Sequence, residues 1–394
     1  MRKLFNIVFL AVVLLIGATQ VAWAQKASFY DLGTYPGGTW FTTESINDLG
    51  VVVGLGDVPP IGPDGVGYTH PLAVPLFGPH AGEWIDLGTL GGVQPRGFEY
   101  ESLTQISNTG LVASHSTTRD GYVHGVAWTK ESGMVDLGTL ADTGGTEYAS
   151  HNSSSALGTN KLGTLIVGWS GVDGVAQAPV VWTPAGKRGG PAIVWKIHRL
   201  DTGKTPFGQA WWVNDYGQIS GVCGNHVDFV TGVVWNPRAD EEGWQLTLLP
   251  PDPVYPKSNA YGINEKGEIV GVAISQDGSI WLPRLWKPLD TNRTEYSQPI
   301  ELALPQAGFK GCESVGINDL GDIVGDCWNN GKDLPVRWIA EAPAFSEIIE
   351  FPGSWGYSWG VNNDGIAAIT YGGGRSCQGK TYVTCGGATE LPER

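Results

Sequence analysis

"GINDLGDIVG" at residues 316–325 decides the fold, because the chain writes nearly the same phrase again as "SINDLGVVVG" at 45–54, "WVNDYGQISG" at 212–221 and "GINEKGEIVG" at 262–271. Each copy reads as a strand, a tight turn and a second strand. Asn can bond its own backbone across such a turn, and Gly tolerates the positive φ that a tight hairpin demands. The turn glycine recurs as Gly50, Gly110, Gly163, Gly217, Gly267, Gly321 and Gly365, at intervals of 44 to 60 residues. The polar position before it holds Asn47, Ser107, Asn160, Asn214, Asn264, Asn318 and Asn362. Seven copies of one hairpin therefore organise the chain.

The rest of each repeat is equally regular. A second turn follows at Asp64-Gly65, Asp120-Gly121, Asp173-Gly174, Asp277-Gly278 and Asn330-Gly331. A calcium loop would need several carboxylates at alternating positions and a closing Glu, so these read as hairpin turns. A third strand then ends on Trp128, Trp182, Trp235, Trp286 or Trp338, and a fourth follows in phrases such as "WIDLG" and "MVDLG". Four short antiparallel strands in about 50 residues is the content of a propeller blade. The "FYDLG" of residues 29–33 is a fourth strand with no first three, whereas the last repeat has three strands and lacks a fourth. The sequence thus predicts an all-β, seven-bladed β-propeller, closed by the N-terminal strand completing the last blade, as one domain over 25–394.

Arg2 and Lys3, the apolar run Leu4 to Gly17 and the ending Ala22-Trp23-Ala24 predict a secretory signal over 1–24, cleaved near Ala24. The mature protein is expected outside the cytoplasm, periplasmic or extracellular, with no membrane span. Loss of Arg2 and Lys3 takes the formal charge from −15 to −17, which disfavours nucleic acid and anionic lipid as partners. Only 16% of residues are charged while Gly reaches 58 and Trp 17, a composition that suits strands and turns.

An exported chain can form disulfides. The hairpin between Asn318 and Gly321 sets Cys312 opposite Cys327, which predicts a bridge. Cys377 and Cys385 are close enough to staple a loop, and Cys223 remains as the free thiol. No C-x-x-C, H-E-x-x-H, G-x-S-x-G or phosphate loop occurs, so no metal, cofactor or catalytic motif is expected.

"MVDLGTL", the "HGVAW" of 124–128 and "GINDLGDIVG" resemble the HAF family of extracellular repeats, named for a His-Ala-Phe tripeptide. The resemblance spans nearly all of residues 28–385. It implies a secreted bacterial propeller and brings no activity and no catalytic residues. His124 matches the tripeptide loosely and His70 begins another degenerate copy; the other repeats replace the His.

Variable loops on a rigid scaffold are where binding usually lives. Seven residues before the turn Asn or Ser stand Trp40, Tyr100, Ser153, Phe207, Lys257, Gly311 and Trp355, with Trp211 and Tyr357 close by. These rings either pack between blades or form an exposed rim that stacks on sugars or another flat apolar ligand. Glu44, Glu99, Glu101, Glu147, Glu313 and Asp252 accompany them, with Arg96, His151, Lys257 and Lys310. The expected ligand-binding set is Trp40, Tyr100, Phe207, Trp211, Trp355, Tyr357, Glu44, Glu101 and Lys257. A monomeric recognition module for a polysaccharide or cell-surface protein is the first reading. A polysaccharide lyase or glycoside hydrolase is the second, and converging carboxylates would favour it over flat aromatics alone.

Overall fold

The computed structural model describes residues 28–59, 68–92, 103–140, 152–172, 175–187, 193–226, 229–238, 243–305, 309–329, 332–351, 353–372 and 379–385. The signal segment 1–24, Tyr100, Glu101 and Cys377 lie outside these residues. All regular structure in the described residues is β, as the turn-rich, charge-poor composition predicts. Phe41–Ile46, Val51–Val58, Tyr68–Pro75 and Ile85–Asp86 form one antiparallel sheet in chain order. Spans 105–136, 154–199 and 207–248 repeat that arrangement. Span 257–348 holds two such groups joined through a single parallel pair, Trp281 with Gly311. In the last sheet Trp355–Val361, Ile366–Gly372 and Gly379–Cys385 are completed by the N-terminal strand Ser28–Gly33, antiparallel to Gly379–Cys385. None of these sheets closes on itself.

The repeated phrase explains itself at atomic level. All seven turn glycines have φ between 66° and 93°, the left-handed region that other residues avoid. The closing glycine of the phrase answers a different demand. The first strand carries a bulge, as between Ser314 and Gly316, that presses its backbone onto the second strand. A Cβ on Gly325 would lie 1.9 Å from the Glu313 carbonyl oxygen, so only glycine fits.

Each turn Asn also does two jobs. The Asn318 side-chain carbonyl accepts from Leu320 N and Asp322 N within its own turn, while its amide donates 2.8 Å to the Asn362 carbonyl of the next repeat. Asn47 reaches Ser107, Asn214 reaches Asn264, Asn264 reaches Asn318, and Asn362 reaches back to Asn47. The third-strand tryptophans staple repeats in the opposite direction: Trp182, Trp235, Trp286 and Trp338 are fully buried. Each donates its indole N–H to a carbonyl at the end of the preceding repeat: Leu137, Asp201, Pro250 and Ala303. Burying each indole with its donor satisfied stabilises the fold by a few kcal/mol, and truncation to Ala costs about 3–5 kcal/mol.

His124 and His70 are part of this framework. His124 Nδ1 lies 2.9 Å from the Asp136 carboxylate and Nε2 lies 3.0 Å from the Asn152 carbonyl oxygen, while His70 Nδ1 lies 2.7 Å from Asp86. The Asp of "DLG" accepts from the glycine amide two residues on, at Gly88 and Gly138, which ends the fourth strand. Cys312 and Cys327 are paired across their hairpin and bonded, and Cys223 is a buried free thiol, its pKa pushed up to about 12 by burial and by Asp201. Cys377 being undescribed, its pairing with Cys385 is outside the described residues.

Candidate functional site

The first strands of all seven repeats line a cavity at their turn end, and some of them line a second cavity toward the other end. The turn-end cavity is narrow, about 70 Å³, and is bordered by Asp48, Asn108, Lys161, Glu265 and Asp319, each of which follows a turn Asn or Ser. Its charged groups answer one another, while Gln105 Nε2 is buried without a hydrogen-bond partner. Lys161 Nζ lies 2.5 Å from Asp319 and 3.3 Å from Asp48. Asn363 donates to both carboxylates, and Asn108 donates to Asp48. Burial alone would lower the Lys161 pKa, but the Asp319 and Asp48 carboxylates outweigh it and hold it up.

Toward the other end lies a cavity of about 450 Å³ lined by Leu103, Trp211, Tyr261, Trp281, Glu313, Val315, Asp326, Trp328, Asp333 and Trp359. Its rings stand edge to face: Trp211 on Tyr261 at 5.6 Å and 73°, Trp281 on Trp328 at 6.1 Å and 70°. Alternation along Trp355–Val361 puts Trp355, Tyr357 and Trp359 on one face of the strand. There Trp355 stacks on Tyr357 at 6.5 Å and 24°, and Tyr357 lies 4.6 Å from Trp359, so the ladder runs into the cavity.

The acids come from one sheet. Glu313 and Asp326 are directly opposed on adjacent strands, beside the Cys312–Cys327 bridge, and Asp333 lies on the third strand opposite Trp328. The bulge after Ser314 and the bridge together fix that hairpin. Burial pushes the Glu313 pKa up to about 7, against the Tyr261 hydroxyl, which lowers it; the Asp333 charge adds to the rise. Asp326 is raised well above the usual carboxylate range by burial and then by Glu313 and Asp333. Asp333 is raised by burial, and Tyr261 by burial and the Glu313 charge. Side-chain Glu313 retains some exposure, and that exposure faces the cavity. Asp326 Oδ1, Trp211 Nε1 and Trp359 Nε1 are buried without a hydrogen-bond partner. The Trp359 indole still lies near enough to Asp326 to draw its pKa down in part.

Of the residues expected to bind ligand, Trp211 lines this cavity and Trp355 and Tyr357 form the ladder leading to it. Trp40 does not reach a rim: it is 7% exposed, its backbone N bonded to Asp57, and Trp355 stacks on Tyr357 instead of on Trp40. Glu44 is likewise buried, its carboxylate accepting from the Thr104 amide of the next repeat. Phe207 and Lys257 begin the first strands of their repeats, half-buried and outside the cavity lining. Asp252 is answered by Arg284 at 2.8 Å. Counting back seven residues from the turn Asn selects the strand entry, whereas the cavity rings Trp211, Tyr261 and Trp359 stand at three. The signal was present in "WWVN", "YGIN" and "WGVN". Among the described residues no cluster of His, Cys, Asp and Glu is arranged to hold a metal ion, and no helix is long and apolar enough to cross a membrane.

No family model matches the chain, and no curated protein matches it. Among solved structures it is similar to the acylaminoacyl peptidase of Pyrococcus horikoshii, with 10% identity, a TM-score of 0.47, and 87% of this chain and 50% of that chain covered. This chain thus spans about half the length of that peptidase. It is also similar to the Aleuria aurantia lectin in complex with alpha-methyl-L-fucoside, with 10% identity, a TM-score of 0.41, and 82% and 99% of the two chains covered. The NanB sialidase of Streptococcus pneumoniae is similar at 9% identity and a TM-score of 0.41, over 90% of this chain and 70% of that one.

Proposed function

We propose that this chain is an exported, monomeric recognition protein of the HAF-repeat kind, a seven-bladed β-propeller that binds a glycan in its aromatic cavity. The propeller reading is supported by first strands from seven repeats converging on one common cavity. It is supported too by the Ser28–Gly33 strand seated on Gly379–Cys385, and by the hydrogen bond from Asn362 back to Asn47. Export is supported by the Cys312–Cys327 bridge, which persists in oxidising compartments.

One observation carries the functional reading. The cavity gathers the rings of Trp211, Tyr261, Trp281, Trp328 and Trp359 with the carboxyl groups of Glu313, Asp326 and Asp333. Ring faces stack on sugar rings while carboxyl groups hydrogen-bond to their hydroxyls, the combination of apolar wall and few polar groups that a sugar site needs. Hydrolysis is the second reading, favoured by the raised Glu313, since a carboxyl held protonated near neutrality can act as a general acid. Glycosidases, however, place their two carboxylates on either side of the scissile bond. Glu313, Asp326 and Asp333 stand side by side on adjacent strands of one sheet, which suits recognition better.

The test is a glycan-array screen of the oxidised protein beside the Trp211→Ala/Trp359→Ala variant, with product analysis on every hit. The expected outcome is a hit lost or weakened about tenfold to a hundredfold in the variant, as befits two stacking rings, with the sugar recovered intact. Equal binding by both proteins would reject the cavity as the site, and a cleaved sugar would transfer the assignment to the hydrolase reading.

A further inference from the structure

Most of the buried or half-buried acids elsewhere in this protein are matched by bases, and Asp57 and Glu44 are held by backbone N–H and hydroxyl donors. Asp252 pairs with Arg284, Glu268 with Lys287, Asp322 with Arg337, and Asp319 with Lys161. The aromatic cavity breaks that pattern. Glu313, Asp326 and Asp333 line it, and among the described residues no lysine, arginine or histidine joins that lining. Asp326 is 7% exposed and keeps Oδ1 unpartnered. The rings around these acids meet edge to face, so several ring faces and carboxylates surround one compact volume. A flat ring platform would suit a neutral sugar face. Perpendicular rings with uncompensated carboxylates suit a positively charged group, which the ring faces attract through their quadrupoles and the acids through charge.

We propose that the cavity selects a ligand bearing a positively charged nitrogen, carried on an amino sugar. This inference rests on the glycan-binding reading above and specifies its chemistry. The Trp355–Tyr357–Trp359 ladder takes the neighbouring rings of an oligosaccharide, while the protonated amine enters the box beside Glu313 and Asp326. The titratable groups facing that position are Glu313, Asp326 and Asp333 on three adjacent strands of one sheet and Tyr261 on the first strand of the preceding repeat. Without a ligand burial keeps Glu313 protonated near neutrality, and an arriving cation displaces that proton. A cation of fixed charge such as tetramethylammonium therefore binds more tightly as pH rises through about 7, whereas a sugar amine loses its own proton in the same range and gains less.

Calorimetric titration of the full oxidised protein at pH 7.5 tests this, with a glucosamine tetramer, an N-acetylglucosamine tetramer and tetramethylammonium as separate probes. The expected result is about tenfold tighter binding of the free-amine tetramer than of the acetylated one. Titration of tetramethylammonium, which carries no ionisable proton, in two buffers of different ionisation enthalpy is expected to register proton release. In Glu313→Gln/Asp326→Asn, which keeps side-chain size, the preference should vanish, so that the two tetramers bind with about equal affinity. Equal or tighter binding of the acetylated tetramer would overturn charge selection and leave the glycan reading standing. Binding of tetramethylammonium with neither tetramer would uphold cation selection and overturn the sugar as its carrier. No binding of any probe would overturn both.

Discussion

At the turn end of the first strands, Asp48 and Asp319 grip Lys161 and accept from Asn108 and Asn363, so the acids there serve the fold. At the other end, Glu313, Asp326 and Asp333 meet tryptophans and no base, and the space between them is more than six times larger, about 450 Å³ against about 70 Å³. The same residue type is therefore structural where its partners are built in and available where they are missing. What separates the two is the supply of partners, not burial. Both ends hold carboxylates away from bulk water, yet burial raises the pKa of Glu313 and Asp326, whereas the Lys161 bond draws Asp319 below its usual range despite burial.

The largest expected effect exposes this contrast through pH. Glu313 has a folded pKa of about 7 against an ordinary 4.5, so the native state keeps a proton that the unfolded chain has released. Its contribution is fully present below about pH 4.5 and is lost as pH rises through about 7. Glu313→Gln should therefore stabilise the ligand-free protein on the order of 3 kcal/mol at pH 8 and leave it unchanged at pH 4.5, by denaturant unfolding. The wild-type profile alone would mislead, because His115 works in the opposite direction. Burial lowers its pKa from 6.5 to about 4, so stability falls as pH drops across that range. Asp326 and Asp333, raised as well, act in the same direction as Glu313, and the difference between variant and wild type removes the His115 slope and reports Glu313 with the neighbours its charge perturbs. A variant with no stability gain at pH 8 would place Glu313 in a compensated environment like that of Asp319.

A smaller effect is expected at the turn end. Lys161→Met leaves Asp48 and Asp319 facing each other without their cation. The lysine side chain is 32% exposed, so solvent discounts the pair, and the loss should be about 1 kcal/mol by denaturant unfolding. Glycan binding should be unchanged. A Lys161→Met protein of native stability that failed to bind would reverse the roles assigned to the two ends.

Most of the scaffold was legible because its causes are local. Asn318 and Gly321 satisfy a turn within four residues, and the facing of Cys312 and Cys327 follows from that turn by counting. The four-strand repeat followed from the spacing of Gly and Trp. The cavity was harder to read, because its lining is an alternation along strands from different repeats. Trp211, Tyr261 and Trp359 share a position three residues before the turn Asn, but facing the same space is a property of their neighbours. Trp40 and Glu44 looked exposed for the same reason: the Asp57 and Thr104 groups that bury and bind them are supplied from outside the motif. Nor could counting along the chain indicate that Glu313 lacks a base, since Lys310 and Lys332 are near it in sequence and outside the cavity lining.

A crystal structure of the protein with bound glucosamine tetramer addresses the contrast between the two ends most directly. The account predicts one sugar ring enclosed by Trp211, Tyr261 and Trp359, its amine beside Glu313 and Asp326, and the next ring on the Trp355–Tyr357 face. Ligand density at the turn end near Lys161, or on the outer sheet surfaces with the aromatic cavity empty, would contradict it.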